Sequence, residues 1–589
     1  MDDANGHVVV QISVHRVLSL SRGRSPRIVA ELVTTGASVT GPRWGVNHTT
    51  RTRRTTTGSL SARHMICNDG GVRQTAMQTG AGPVGSAAVP ALAQPLLGGQ
   101  PLIVASNRGP VEFWRGPDGR LQARRGSGGL VTALSALRYL ERVHWVAAPQ
   151  TPTDHLLAAQ STASPIPGWP DGHRLALVPC PPELYAPHYI TICNRLLWFH
   201  HHYLLEWGPG LATQPLRWAW EHGYCPVNRL FAETIVRLAA GQPRPVVLLQ
   251  DYHLYLVGAE VRRRCPGARL LHFVHVPWPE PRAWQWLPAP VRTAILTGLL
   301  ACDIVGLQTP ADAQNFLHTC LQTLPAVRAD DQDQALIYQG RRTRVRVYPV
   351  SVDPSTLVAQ AHSPSSQRSL TALRARQAER TIVRVDRLDP VKNLHRGFLA
   401  YQALLERRPD LHGRVVFLAC LVPSRTAVPE YRRYGRTVRT LVSQINRRWG
   451  TAAWQPIHLF VQHNYEWALA ALRLYDVLLV NPLVDGMNLV AKEGPVVNER
   501  DGVLILSETA GACQQLRAGA LTVAAVDVEG TTAALEQALE MSPGERRDRA
   551  ARLRAAILAT DALHWLAAQL ADLAALRSGV PGPPAAGAG

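Results

Sequence analysis

One local design recurs along this chain: a short apolar run stops on a charged or polar residue and gives way to helix-forming sequence. Leu102-Ile103-Val104-Ala105 ends in Ser106-Asn107-Arg108, and Val246-Val247-Leu248-Leu249 ends in Gln250-Asp251. Leu270 to Val274 ends at His275, and Ile304-Val305-Gly306-Leu307 ends in Gln308-Thr309. The design restarts with Thr381 to Val385, which ends on Arg387. It continues through Val415 to Leu421 before Pro423-Ser424-Arg425, then Ile457 to Phe460, Val477 to Val480 and Val503 to Leu506. Uninterrupted apolar runs of this length read as strands covered on both faces, the mark of parallel sheets. Parallel strands need helical crossovers, which fits the alternation.

The predicted fold class is therefore α/β, with two Rossmann-like, doubly wound parallel-sheet domains facing each other across a cleft. Residues 98–352 form the N-terminal domain and 353–560 the C-terminal one, with a helix over 561–578. Pro349, Pro354 and the Ser-rich stretch 363–369 mark a linker. Thr532 to Leu570 reads as helical and amphipathic, rich in Ala and Leu. Residues 1–97 are rich in Arg, Thr, Ser and Gly and poor in acids, so they read as a disordered or miscalled extension, with order starting at Pro101. The tail 579–589 (GVPGPPAAGAG) is expected to be disordered.

Net charge is +19 over 589 residues, spread as Arg through the whole chain. No basic stripe or nucleic-acid module accompanies it, so nucleic acid is not an expected partner; phosphorylated small molecules suit the charge. The nine cysteines are scattered without a CxxC pair, which favours reduced core thiols and a cytoplasmic protein. No run approaches the roughly 18 apolar residues of a membrane span. A homo-oligomer is left open.

The stretch Asn481 to Glu493 (NPLVDGMNLVAKE) carries the strongest site signal. A strand, a glycine turn and a helix start aim backbone N–H groups at an anion. Asp485 and Glu493 flank that position, and carboxylates there suit sugar and ribose hydroxyls. Asp485 with the backbone of Gly486, Met487, Asn488 and Leu489 is read as holding a sugar. The chain has only two lysines, Lys392 and Lys492, and both fall in candidate site motifs. Arg387 and Lys392, five apart across a strand-to-helix turn, combine a planar fork with a point charge, a suitable pair for a diphosphate. Arg108 and Arg425, at other strand ends, are left for a second anion. Arg125 to Leu134, with its Gly-Ser-Gly-Gly run, is shaped like a phosphate-approach loop. His200-His201-His202 lacks partners at ligand spacing and reads as packed surface. No metal or cofactor motif is present. The implied chemistry is transfer from a diphosphate-activated donor to an anionic acceptor, driven by electrostatics.

Taken in order, SNRGPV, GSGGL, LLWFHHHY, WEHGYCPVN, QDYHL, HFVHVPWP, VDRLDPVKN, PSR and VDGMNLVAKE resemble the trehalose-6-phosphate synthase family over residues 100 to 575. These are retaining glycosyltransferases of the GT-B fold. The SNRGPV start and Val385-Asp386-Arg387 are most similar to an actinomycete-type subgroup that also contains validoxylamine 7′-phosphate synthase. The resemblance implies transfer of glucose from UDP- or GDP-glucose to glucose 6-phosphate, or, in the alternative, coupling of an activated cyclitol to an amino-cyclitol phosphate. A non-catalytic sugar-phosphate-binding protein is the remaining alternative. By the same resemblance Arg387 and Lys392 hold the donor diphosphate, and Glu493 the ribose. Asp485 and His275 hold the donor sugar, with backbone help from Met487, Asn488 and Leu489. Gly129 lies in a loop that closes over the diphosphate. Arg108, Tyr189, Trp198 and Arg425 cage the acceptor phosphate, and Asp251 stands near the acceptor hydroxyl. The implied mechanism uses no protein nucleophile: the leaving phosphate takes the acceptor proton on the same face. Ala148 stands where the family often has a tryptophan lining the acceptor pocket. No phosphatase domain is read after the second half, so a phosphorylated product would pass to another enzyme.

Overall fold

The computed structural model describes residues 88–126, 129–160, 162–207 and 214–576, all within one compact unit. The apolar runs become strands of two separate parallel sheets. In the N-terminal half these are Leu102–Ser106 (β1), Val143–Ala147 (β2), His173–Leu177 (β3), Val246–Gln250 (β4), Arg269–Phe273 (β5), Ile304–Leu307 (β6) and Arg341–Val347 (β7). They lie in the order β3-β2-β1-β4-β5-β6-β7, every neighbour parallel. Short antiparallel strands add to both edges: Ser164–Pro165 beside β3, and Arg328–Asp330 with Ala335–Tyr338 beside β7.

The C-terminal half repeats the plan. Arg380–Arg387 (β8), Val415–Val422 (β9), Ile457–Val461 (β10), Val477–Val480 (β11), Val503–Ser507 (β12) and Leu521–Val523 (β13) lie in the order β10-β9-β8-β11-β12-β13, all parallel. In each half the winding reverses beside the first strand, between β1 and β4 and between β8 and β11. A crevice forms at that reversal, at the carboxyl ends of the strands. Arg108 and Asp251 follow β1 and β4; Arg387 ends β8, and Asp485 follows β11. Two separate stretches of sequence are thus delivered to each crevice by topology alone.

Several sequence expectations change. The 353–374 segment is no linker. It holds helices Pro354–Ala361 and Pro364–Arg374, each with proline in its first turn behind a side-chain cap, Asp353 accepting from Thr356 N and Ser363 from Ser366 N. Pro is tolerated there because its missing N–H would be unpaired anyway. The stretch 532–570 is helical as read and divides into three helices, Val528–Glu540, Pro543–Ala559 and Ala562–Ala574, the last two opened by Ser542 and Asp561 as caps. Order begins earlier than Pro101: helix Ala88–Leu97 buries Val89 and Ala93 in the large core that also contains Trp565 and Leu570. The rest of the expected extension, residues 1–87, and the tail 579–589 lie outside the described residues.

The last helix, Ala562–Ala574, belongs spatially to the N-terminal sheet. Trp565 packs edge-on against Phe273 of β5 at 5.2 Å, and Asp572 accepts from Tyr348 OH at 2.6 Å. Among the described residues no helix is long and apolar enough to cross a membrane.

Candidate active site

One side of the site is built by the turn after β8 and the loop after β11. Asp389 caps the short turn Pro390–Lys392 by accepting from Val391 N at 3.1 Å, which fixes where Lys392 emerges. Lys392 Nζ then donates to Asp485 Oδ2, and Asn488 Nδ2 donates to the same oxygen at 3.0 Å. Burial alone would raise the Asp485 pKa, but Lys392, with help from His202 and Arg387, holds it below the usual carboxylate range. A fully buried arginine within β8 braces this turn: Arg384 donates to Asp386 at 2.9 Å, to Asn481 at 2.7 Å and to the Lys392 carbonyl.

The facing side is built from the N-terminal half together with Arg425, which comes from the loop after β9 in the other half. Tyr189 and Asn194 lie on a wide π-type helix, Pro187–Leu197, a form often found at functional sites, and Trp198 opens the turn that follows it. Trp198 lies under two guanidinium groups, 3.9 Å from Arg425 and 5.1 Å from Arg387. Arg425 also donates to Asp389 at 2.8 Å, to Asn194 at 2.8 Å and to Tyr252 OH at 3.4 Å. Tyr189 hydrogen-bonds Arg108 and Asn194. Burial pushes its hydroxyl pKa up, but Arg108 and Arg425 outweigh that and bring it below the ordinary tyrosine value. Arg108 contacts Glu112 at 3.5 Å.

These positions converge. Arg387, Lys392, Asp485 and Asn488 form one face, Arg108, Tyr189, Trp198 and Arg425 the other, and Asp389 joins them by holding both arginines. The Arg387 Nε and Trp198 Nε1 groups are buried and find no hydrogen-bond partner among the described residues. Unpaired buried donors in a cationic crevice are what an anionic ligand would satisfy. Gly129 opens a short helix, and a Cβ there would sit 3.5 Å from Leu489, so the Gly-rich loop meets the donor loop; Ser127 and Gly128 lie outside the described residues.

Glu493 is buried on helix Val490–Val497, and burial pushes its pKa up to about 7 against a smaller opposing pull from Arg125. Asp251 sits at a positive φ of 73° and accepts from His275 N at 3.1 Å. Burial takes it too up to about 7, while the N–H groups of Tyr252, His275 and Val276 pull the other way. His275 is held neutral, burial pushing its imidazole down to about 3. Its Nε2 lies 2.8 Å from Gln250 Oε1.

Three readings are corrected. Gly486 is not there for a tight turn: the positive φ of 74° belongs to Asn488, and a Cβ on Gly486 would lie 2.1 Å from the His275 carbonyl oxygen. Glycine is required because the backbones of the two halves touch. Lys492 points away from the crevice to the Val350 carbonyl, 2.8 Å away. The histidine triplet is buried, not surface, with His201 held by the Pro277 carbonyl at 2.8 Å and Tyr255 OH at 2.9 Å. Sequence reading missed Asp389, Arg384 and Asn194. An arginine inside an otherwise apolar strand was the available signal for Arg384. Ala148 is buried, and Tyr185 stacks on Tyr189 at 5.4 Å.

Residues 100–575 match Glycosyltransferase family 20. The chain belongs to that family. It is 32% identical over 482 residues to alpha,alpha-trehalose-phosphate synthase [UDP-forming] 2 of Aspergillus fumigatus, covering 80% of this chain and 96% of that one. It is 34% identical to trehalose-6-phosphate synthase of Escherichia coli, covering 66% and 79%. Against a probable synthase of Arabidopsis thaliana it is 32% identical but spans only 54% of that protein's length. Among solved structures, an E. coli trehalose-6-phosphate structure bound with UDP-2-fluoro glucose superposes with a TM-score of 0.70 at 30% identity, over 81% of this chain and 100% of that one. A Burkholderia xenovorans synthase in complex with glucose-6-phosphate gives a TM-score of 0.70 at 26% identity, over 80% and 100%. The α/β architecture is the GT-B fold of these synthases.

Proposed function

We propose that this protein is a UDP-forming α,α-trehalose-phosphate synthase that moves glucose from UDP-glucose to glucose 6-phosphate with retention. The observation that carries the reading is that Arg387 and Lys392 face the cage of Arg108, Tyr189, Trp198 and Arg425, joined through Asp389. One anion site beside another suits a diphosphate donor and a phosphorylated acceptor. The named relatives and the two ligand-bound neighbours support this choice of substrates.

In this reading the anomeric hydroxyl of glucose 6-phosphate attacks C1 of the glucosyl group on the face the diphosphate leaves. The C1–O bond to UDP breaks, the new C1–O bond forms, and the acceptor proton passes to the departing phosphate oxygen. Lys392 and Arg387 stabilise the charge that develops on that oxygen. Asp485 and His275, with the backbone of Gly486 to Leu489, position the sugar, and Asp251 orients the acceptor hydroxyl. Gly129 belongs to the loop over the diphosphate. The domain over 98–352 supplies most of the acceptor side and the one over 353–560 most of the donor side, with Arg425 crossing to the acceptor and Gly129 and His275 to the donor, and the enzyme works in the cytoplasm. The SNRGPV start supports a place in the actinomycete-like subgroup. The cyclitol-coupling alternative draws no support from the relatives.

The test is direct. Purified protein incubated with UDP-glucose and glucose 6-phosphate should release UDP and a phosphorylated disaccharide; no release with any sugar nucleotide would reject the function.

Glu493 gives a pH prediction. Ribose hydroxyls donate to a carboxylate, so donor binding selects the ionised form of a group that titrates near pH 7 when free. The KM for UDP-glucose should therefore rise as pH falls below about 7. Glu493→Gln should raise that KM about tenfold, the loss of one charge-assisted hydrogen bond, and flatten the pH dependence. Initial rates across pH 5.5–8.5 check both.

A further inference from the structure

Val350 lies in the crossover that leaves β7 for the second half. Both polar groups of its backbone are held by side chains, one from each half. Its N–H donates to Gln308 Oε1 at 3.0 Å, and its carbonyl accepts from Lys492 Nζ at 2.8 Å. Gln308 follows β6 in the N-terminal sheet. Lys492 sits on helix Val490–Val497, next to Glu493. All three are buried, Lys492 to 1% exposure. Gln308 Nε2 also donates to the His275 carbonyl at 3.3 Å. That same carbonyl is the atom pressed against Gly486. The path therefore closes: donor-loop helix, crossover peptide, Gln308, His275, and back to the donor loop.

An ammonium this deep is expensive in free energy. Burial pushes the Lys492 pKa down to about 7, and the group its Nζ meets is the Val350 carbonyl, not a carboxylate. An apolar side chain would avoid that cost but leave the buried Val350 carbonyl without its donor. What an apolar side chain cannot do is grip the Val350 carbonyl. The chain has only one other lysine, so the general Arg bias has not replaced this one. A guanidinium, bulkier and planar, is not equivalent at a site with one carbonyl to reach.

We propose that Lys492 and Gln308 are positioning residues: they hold the Val350 peptide from opposite halves and so keep the donor loop, Asp485 to Leu489, in register with His275. The hydrogen bonds of both side chains run to backbone groups, those of His275 and Val350. They act through the backbone of one crossover residue, Gln308 on its N–H and Lys492 on its carbonyl. The proposal rests on the transfer reaction of the preceding section for its kinetic readout.

Lys492→Met keeps length and apolar bulk but removes the donor. Gln308→Glu keeps an acceptor for Val350 N–H but, once ionised, cannot donate to the His275 carbonyl. Each should lower kcat for UDP release about 10- to 100-fold, the cost of a misplacement of about 1 Å, with KM for glucose 6-phosphate changed less than about twofold. The double variant should be no slower than the slower single, because both break one path. Multiplying losses, an unchanged kcat in folded Lys492→Met, or losses that simply follow a falling Tm would overturn the proposal. Should Lys492→Met not fold, Gln308→Glu and Gln308→Asn make the same comparison. If the wild-type chain turns over no sugar nucleotide, the function fails separately. The grip is then read by small-angle scattering of the ligand-free protein, where either variant should broaden the distribution of distances between halves. An unaltered profile overturns it.

Discussion

Lys392→Ala is expected to lower kcat by about 10²–10³-fold, the usual loss when one preorganised charge is taken from a developing anion. The side chain is buried and its Nζ is already aimed by Asp485 and by a turn whose carbonyl is held by Arg384. Little reorganisation is then needed when charge builds on the leaving phosphate. Removing the ammonium also strands the Asp485 carboxylate, which loses the strongest of the groups holding its pKa down. Some loss of stability is expected from that alone. Lys392→Ala with Asp485→Asn separates the two effects: the double variant should regain Tm but not turnover. UDP release by Lys392→Ala within about twofold of wild type, far short of the predicted loss, would make this lysine a structural residue only.

The sheets were legible because parallel strands covered on both faces need unbroken apolar runs, and such runs are local. β11 was read to its end residues, and the polar residues after β1, β4, β8 and β11 sit at the two crevices. Helix ends were less legible. Ser363-Pro364 and Asp353-Pro354 look like loop sequence by composition, yet a capping side chain followed by proline is also how a helix begins. Helix Ala88–Leu97 was hidden for another reason. Its Val89 packs into a core shared with Trp565, more than 400 residues away, and no local pattern carries that. In the site, the residue types were readable but their directions were not. Lys492 and Glu493 are neighbours in one helix, and only the fold sends one to the Val350 carbonyl. The glycine at 486 was read as a turn because its true neighbour, the His275 carbonyl, comes from the other half.

Asp389→Ala is expected to cost about 3–5 kcal/mol of stability, the range for removing one partner from a buried charge cluster. The carboxyl group is fully buried and serves three groups at once: Arg425 at 2.8 Å, Arg387 at 3.5 Å and the Val391 N–H at 3.1 Å. Without it two guanidinium groups share the face of Trp198 with no counterion between them, and the turn carrying Lys392 loses its cap. Burial would raise the Asp389 pKa, yet Arg425 and Arg387 together bring it below the ordinary value. A depressed carboxylate adds stability that is present above its unfolded pKa of about 3.9 and is lost as pH falls through the lower folded value. Asp389→Asn keeps the cap oxygen and loses only the charge. Its deficit should therefore be smaller than that of Asp389→Ala at pH 7 and should shrink as wild type is acidified below about pH 4. Urea unfolding of the three proteins at pH 7 and pH 3.5 reads this. An Asp389→Ala variant within about 1 kcal/mol of wild type, well under the cost of an unpaired buried charge, would show that the arginines of the two anion sites do not depend on a common carboxylate.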